Sequence, residues 1–293
     1  MPEVETSSPE IYTPKYYQRI AELENRHWWH LGMQHIALAL LKTAGAGPIK
    51  RVLDAGCGTG AMMRWAGEKL GATDIHGIDI SPDALAYCRA ENPAWKVQEG
   101  SVLDLPFPPD MFDLVISNDV VQHLPTNGGD LQGIREMARV LVPGGALLLR
   151  TNSRLGMWQK TDARDHDYQR FIEEEVTQLL VAAGLTPVRA TYANVIGSLH
   201  ESARRLLRGR SDHKHTPGHS HDHDHAHPHS DEDQGPQRTV YEGLKIRDTA
   251  AVRPMANSLL LSALKTEAAY LARPRRRIGF GHALVVVAVK AKA

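Results

Sequence analysis

Three glycines at alternate positions, in "RVLDAGCGTGAMMRWA" at 51–66, constrain this chain more than any other feature. An apolar run ends in Asp54, the loop Gly56-Cys57-Gly58-Thr59-Gly60 follows, and a helical pattern then begins. Glycine at a strand-to-helix turn permits left-handed backbone and lets a ligand approach the main chain. The spacing is GxGxG. A dinucleotide-binding turn carries its third glycine one position later, and a P-loop places Lys and Ser or Thr after its second glycine. Here Ala61, Met62 and Met63 follow, with no lysine to hold a phosphate. Backbone amides and a helix N-terminus still suit an anion, and a carboxylate meets that description.

The surrounding pattern is regular. Strand-like runs "IKRVLDA", "DIHGIDI", "WKVQEG", "FDLVISN" and "GALLLRT" alternate with helical patterns at 61–70, 82–91 and 130–141. Ser81-Pro82 reads as an N-cap followed by an N1 proline, and "PGG" at 143–145 reads as a helix stop. Such alternation, with apolar strands, predicts βαβ units and a parallel sheet covered on both faces. Residues 15–43 read as one helix from their apolar spacing. A helix at 170–183, a strand at 186–193, a helix at 257–271 and a strand at 282–290 complete the pattern.

The second strand ends at Asp79, nineteen residues after Gly60. A carboxylate there accepts hydrogen bonds from the vicinal hydroxyls of a ribose. A ligand with a ribose, a carboxylate and no phosphate has the make-up of S-adenosylmethionine. Its sulfonium cation tolerates Asp54 beside the loop, where a phosphorylated nucleotide would be repelled.

The segments "VLDAGCGTG", "GIDIS", "GSVLDLPFPPDMFDLVISNDVVQHL" and "ARVLVPGGALLL" resemble, in order, the successive motifs of class I S-adenosylmethionine-dependent methyltransferases of the type-11 small-molecule branch. The resemblance is strong over 50–151. "ENRHWWHLGMQHIALALL" is similar to the "HWW" helix that precedes the domain in a bacterial subgroup, and the segments after 165 and after 256 resemble that subgroup's later elements. The family implies a doubly wound, mostly parallel, seven-stranded Rossmann-like α/β sheet with helices on both faces. Its last strand is antiparallel and inserted between the fifth and sixth. It also implies S-adenosyl-L-methionine as cofactor. Asp54, Gly56, Gly58 and Gly60 would take the methionine moiety, with Cys57 a small apolar filler within the loop. Asp79 would take the ribose, with Ile80 beside the adenine. Ser101 stands where many members have an aspartate facing the adenine amine, and backbone at Val102 is the alternative partner. Asn118, at the end of the fourth strand, would line the pocket.

Methyl transfer is an in-line displacement, for which alignment is much of what a protein supplies. A base is needed where the nucleophile must lose a proton. His166, in "DARDHDYQR" after the fifth strand, is the preferred catalytic candidate, and a solvated loop histidine is the other reading. His123, in "VVQHL" after the fourth strand, is the second candidate, with a structural cap as its other reading. Arg170 could pair with an acidic substrate group. Trp28 and Trp29 read as packing on the sheet, with a lid role open.

Lys plus Arg and Asp plus Glu number 34 each, so no net field attracts nucleic acid or an anionic membrane surface. No apolar run approaches membrane-spanning length. Two cysteines without CxxC spacing suit a reducing cytoplasm, and the polar "MPEVETSSPE" gives no expectation of a secretory leader. Residues 211–237 hold eight of the sixteen histidines and almost nothing apolar. That composition predicts a disordered insertion with weak divalent transition-metal affinity and no defined metal site. The organisation expected is an N-terminal helical cap at 1–48, a methyltransferase core at 49–210, the histidine-rich insertion at 211–237 and a closing helix and strand at 238–293. The expected function is methyl transfer to a small-molecule acceptor, through oxygen, nitrogen or carbon. The alternatives are a non-catalytic S-adenosylmethionine- or metal-binding protein and a nucleic-acid methyltransferase. Against the last, "SNDVVQ" stands where amino-methylating members carry Asn/Asp-Pro-Pro-aromatic.

Overall fold

The structure is a computed structural model and describes residues 14–154, 169–199 and 254–292. Seven strands form one sheet: β1 Arg51–Ala55, β2 Asp74–Asp79, β3 Lys96–Glu99, β4 Phe112–Asn118, β5 Leu141–Asn152, β6 Leu185–Ala193 and β7 Ala283–Lys290. Their order is β3-β2-β1-β4-β5-β7-β6. β3, β2, β1, β4 and β5 run parallel, and β7 is antiparallel to both β5 and β6. This is the doubly wound, mostly parallel α/β arrangement expected, with the last strand inserted as the resemblance implied.

Successive side chains on a strand point to opposite faces, and the core divides accordingly. Leu53, Val115, Leu147, Leu149 and Val286 pack on one face with Ile134 and Met137 of α5 (Gly129–Val140). Val52, Leu114, Ile116, Leu148 and Val285 pack on the other with Ile36 and Leu40. Burial on both faces is why β4 reads as a nearly continuous apolar run.

Residues 15–43 are not one helix. The chain forms α1 (Pro14–Arg26) and α2 (Trp28–Ala44), separated at His27, whose backbone is extended. Asn257 stabilises the break: its Oδ1 accepts from Trp28 N at 2.9 Å and its Nδ2 donates to the Arg26 carbonyl at 3.0 Å. Apolar spacing runs through the break, so periodicity did not reveal it. The helix expected at 61–70 is α3 (Ala61–Trp65) continued by a wider π turn to Leu70. α4 (Pro82–Glu91) begins as expected, Ser81 Oγ accepting from Ala84 N. α5 ends at Val140, and "PGG" lies within the first residues of β5 rather than in a loop after a helix. α6 (Glu173–Ala182) and α7 (Pro254–Leu271) complete the layers. Residues 211–237 fall outside the described residues.

α2 and α7 approach closely at Gly32. A Cβ there would overlap Leu264 Cδ1 and lie 2.5 Å from Leu264 Cβ, and Leu264 is fully buried. Gly32→Val is expected to destabilise the protein by about 1–3 kcal/mol through overpacking, read as a lowered melting temperature. An unchanged melt would mean that the α2–α7 contact yields without cost.

Candidate active site

Sheet order reverses between β1 and β4, and ligands of open α/β sheets bind beyond the carboxyl ends of the strands at such a point. The glycine loop lies there. Gly56, Gly58 and Gly60 have φ of +88°, +51° and +85°, a left-handed conformation that favours glycine. A Cβ on Gly56 would also overlap Val120 Cγ2, whereas one on Gly58 would meet nothing within 4 Å. The loop is therefore packed on its inner side and open above Gly58. Gly60 is the N-cap of α3 and faces Trp95.

The amides of this loop depart from expectation. Gly56 and Cys57 N–H both donate to the Ile78 carbonyl, and Gly60 N–H donates to the Cys57 carbonyl. Gly58 N–H donates to Asp79 Oδ2 at 2.8 Å. These four donors are engaged within the protein, so they are not the ones that would meet an anion. Asp79 Oδ1 accepts from Ser81 N at 3.0 Å. Burial raises the Asp79 pKa against these backbone donors. Asp79 thus ties the end of β2 to the loop after β1.

A cavity of about 150 Å³ opens beside the loop. It brings together Asp54, Gly56, Cys57, Gly58 and Asn118. Glu24, His30, Gln34, Asp119 and Arg150 join them. Asp54 is 3% exposed. Burial first, and then the negative charges of Glu24 and Asp79, push its pKa well above the usual carboxylate range. The Glu24 carboxylate hydrogen-bonds the Thr59 hydroxyl within the loop, and burial raises its pKa as well. Arg150 pairs with Asp119 through Nε at 3.1 Å and through Nη2. Its guanidinium also lies 4.7 Å over the Trp29 ring. His30, stacked edge-on to Trp29, is held down to about 3 by burial and by Arg150, so it stays uncharged near neutrality.

Cys57 is buried against Gly77, and its hydrogen bond with Cys88 together with burial pushes the thiol up, which fits the filler role. Ile80 follows Asp79 with 75% of its surface exposed. Ser101 Oγ accepts from Leu103 N at 3.2 Å, and the Val102 side chain is buried in the core, leaving only its backbone to face a ligand. His123 ends the short turn Val121–His123 and is partly buried, outside the lining of the cavity. Burial lowers its pKa, opposed by Asp119. That turn is pinned on two sides. Gln122 Oε1 accepts from Asn152 N at 2.8 Å, and Gln169 Nε2 donates to the Leu124 carbonyl at 2.9 Å. His166 lies outside the described residues. Among the described residues, no three His, Cys, Asp or Glu side chains come together to hold a metal ion, and no helix is long and apolar enough to cross a membrane.

Sequence reasoning missed Glu24, His30, Asp119 and Arg150 as members of the cavity. One signal was present: Arg150 is the lone charge in the apolar strand "GALLLRT", near its carboxyl end.

A sheet of this order with a glycine turn after β1 and a carboxylate ending β2 defines a Rossmann-like methyltransferase domain, and a methyltransferase-domain family model matches residues 52–145. The malonyl-[acyl-carrier protein] O-methyltransferase of Salmonella typhimurium is 31% identical over 184 residues, which is 60% of this chain and 70% of that protein. A probable S-adenosylmethionine-dependent methyltransferase of Mycobacterium tuberculosis is 27% identical over 191 residues, 64% of this chain. The match spans 66% of the length of that mycobacterial relative. The fold is similar to that of a Haloferax volcanii methyltransferase in complex with the Trm112 methyltransferase activator. The TM-score is 0.55 at 19% identity, covering 98% of this chain and 99% of that one. This chain belongs to the class I S-adenosylmethionine-dependent methyltransferases, whose methyl donor is S-adenosylmethionine.

Proposed function

We propose that this chain transfers the methyl group of S-adenosylmethionine to a small-molecule acceptor, as in the type-11 branch with an N-terminal "HWW" helix, and that it does so in the cytoplasm. The observation that carries this reading is the convergence of Asp54, Gly56, Gly58 and Asn118 on one cavity, with Asp79 at the end of the adjacent strand. The open space above Gly58 admits a ligand against the backbone. Asp79 has acceptor capacity beyond its backbone bonds, since a carboxylate offers about four lone-pair positions. It would hold the ribose. Ile80 would lie under the adenine, while Ser101 Oγ and the Val102 backbone would meet its edge. Arg150 uses Nε and Nη2 on Asp119, and the rest of its five donors suit the donor's carboxylate, replacing the loop amides in that role. When bound, the donor supplies an activated methyl on a sulfonium. The chain's part is to align it with the acceptor and to exclude water.

His166 is the proposed base or orienting group, ahead of His123. Gln169, three residues later, is anchored to the turn that carries His123. Gln169 thereby stands near the carboxyl end of β4, and this supports a role for the residues just before it in sequence. The balanced charge, and β4 ending in "SNDVVQ", weigh against a nucleic-acid acceptor. The histidine-rich insertion is assigned only weak transition-metal affinity, separate from the core. The test is incubation of the purified protein with labelled S-adenosylmethionine and a metabolite extract. A labelled small molecule is expected. Label appearing only in nucleic acid, or no label despite tight donor binding, would overturn the proposal.

A further inference from the structure

We infer that Glu24, carried by the helix preceding the methyltransferase core, is a further donor-binding residue: with Asp54 it forms a carboxylate pair that receives the ammonium of the donor's amino-acid end. The inference rests on the proposed binding of S-adenosylmethionine. α1 brings Glu24 into the same cavity as Asp54, Gly56 and Gly58. Its hydrogen bond with Thr59, 3% exposed within the loop, fixes the carboxylate against the loop.

Charge inside the cavity decides what the pair can take. Among the described residues of the cavity, Glu24, Asp54 and Asp119 face a single guanidinium, Arg150, and Asp119 engages that guanidinium through two nitrogens. His30 in the same wall is neutral near physiological pH. Arg64, the other cation that acts on Glu24, is held by Glu91 at 2.6 Å and by Asn25. Among the described residues no cation forms an ion pair with Glu24 or Asp54, Arg150 acts on both while bound to Asp119, and the Glu24 charge raises the cost of ionising Asp54. A metal ion does not resolve this, because no third ligand of the required type joins them among the described residues. A primary ammonium does: it carries one positive charge and three donors, enough to meet both carboxylates at once.

Calorimetry with three probes tests the assignment on the full chain. S-adenosylmethionine and S-adenosylhomocysteine both carry the amino-acid end, whereas 5′-methylthioadenosine keeps adenine, ribose and sulfur without it. Glu24→Gln retains an oxygen for Thr59. It is expected to weaken S-adenosylmethionine and S-adenosylhomocysteine by about tenfold or more, with methylthioadenosine affinity unchanged. Unchanged S-adenosylmethionine affinity, or an equal loss for methylthioadenosine, overturns the role of Glu24. Wild-type protein that binds none of the three overturns the donor reading itself, and this inference with it. Retained methylthioadenosine binding by the variant also shows that it is folded.

Discussion

Asp79→Ala is expected to weaken S-adenosylmethionine binding by about ten- to a hundredfold, the cost of leaving charge-acceptor hydrogen bonds unmade. Two losses combine. The ribose hydroxyls lose their acceptor, and Gly58 N–H loses the oxygen that holds it at 2.8 Å. Gly58 has a left-handed backbone and open space around it, and its other described tie is the weaker bond from Cys88 Sγ to its carbonyl at 3.2 Å. Methylthioadenosine, which keeps the ribose, is expected to weaken in parallel. That separates Asp79 from Glu24, whose loss leaves this probe untouched. Asp79→Asn keeps one carbonyl oxygen and falls between wild type and Ala. Calorimetry showing wild-type affinity in Asp79→Ala would move the ribose to another residue.

Asp54→Asn is expected to weaken the donor by a similar factor, about ten- to a hundredfold, and yet to make the ligand-free protein more stable at neutral pH. Asp54 is buried at the end of β1 beside Glu24 and Asp79, and its pKa lies above the unfolded value of about 3.9. A carboxyl with a raised folded pKa contributes its stability in full below the unfolded pKa. That contribution is lost as pH rises through the folded pKa. Asparagine has the same shape without the titration, so the variant escapes the loss. Glu24 and Asp79 are raised too and act in the same direction. Asp74, Asp113 and Glu136 are held low by their partners and act in the opposite one. The wild-type profile is therefore a sum, and the difference between wild type and variant reports Asp54 together with its coupling to Glu24 and Asp79. Thermal melts from about pH 4 to neutrality should show the variant gaining on wild type as pH rises. A variant that melts lower than wild type at neutral pH would show that Asp54 is structural. In that case its charge would not be poised for a cation.

These residues also mark how far the chain could be read without its fold. The GxGxG turn, the Ser81 cap before Pro82 and the paired faces of β1 and β5 follow from constraints acting within a few residues: allowed φ, a side chain reaching the next turn, and alternation along a strand. Sequence carried these, and with them the sheet, the loop and the positions of Asp54 and Asp79. The break at His27 was not legible, because the side chain that bridges it belongs to Asn257, more than two hundred residues away. The loop amides read as an anion site until the register of β1 on β2 gave them Ile78 and Asp79 as acceptors. Glu24, Asp119 and Arg150 share no spacing that points to a common site; α1, the end of β4 and the strand β5 meet only once the sheet is assembled. Local backbone chemistry is written in adjacent residues. The charge balance of the cavity depends on which distant side chains tertiary packing brings within a few ångströms of one another, and only the folded chain decided that.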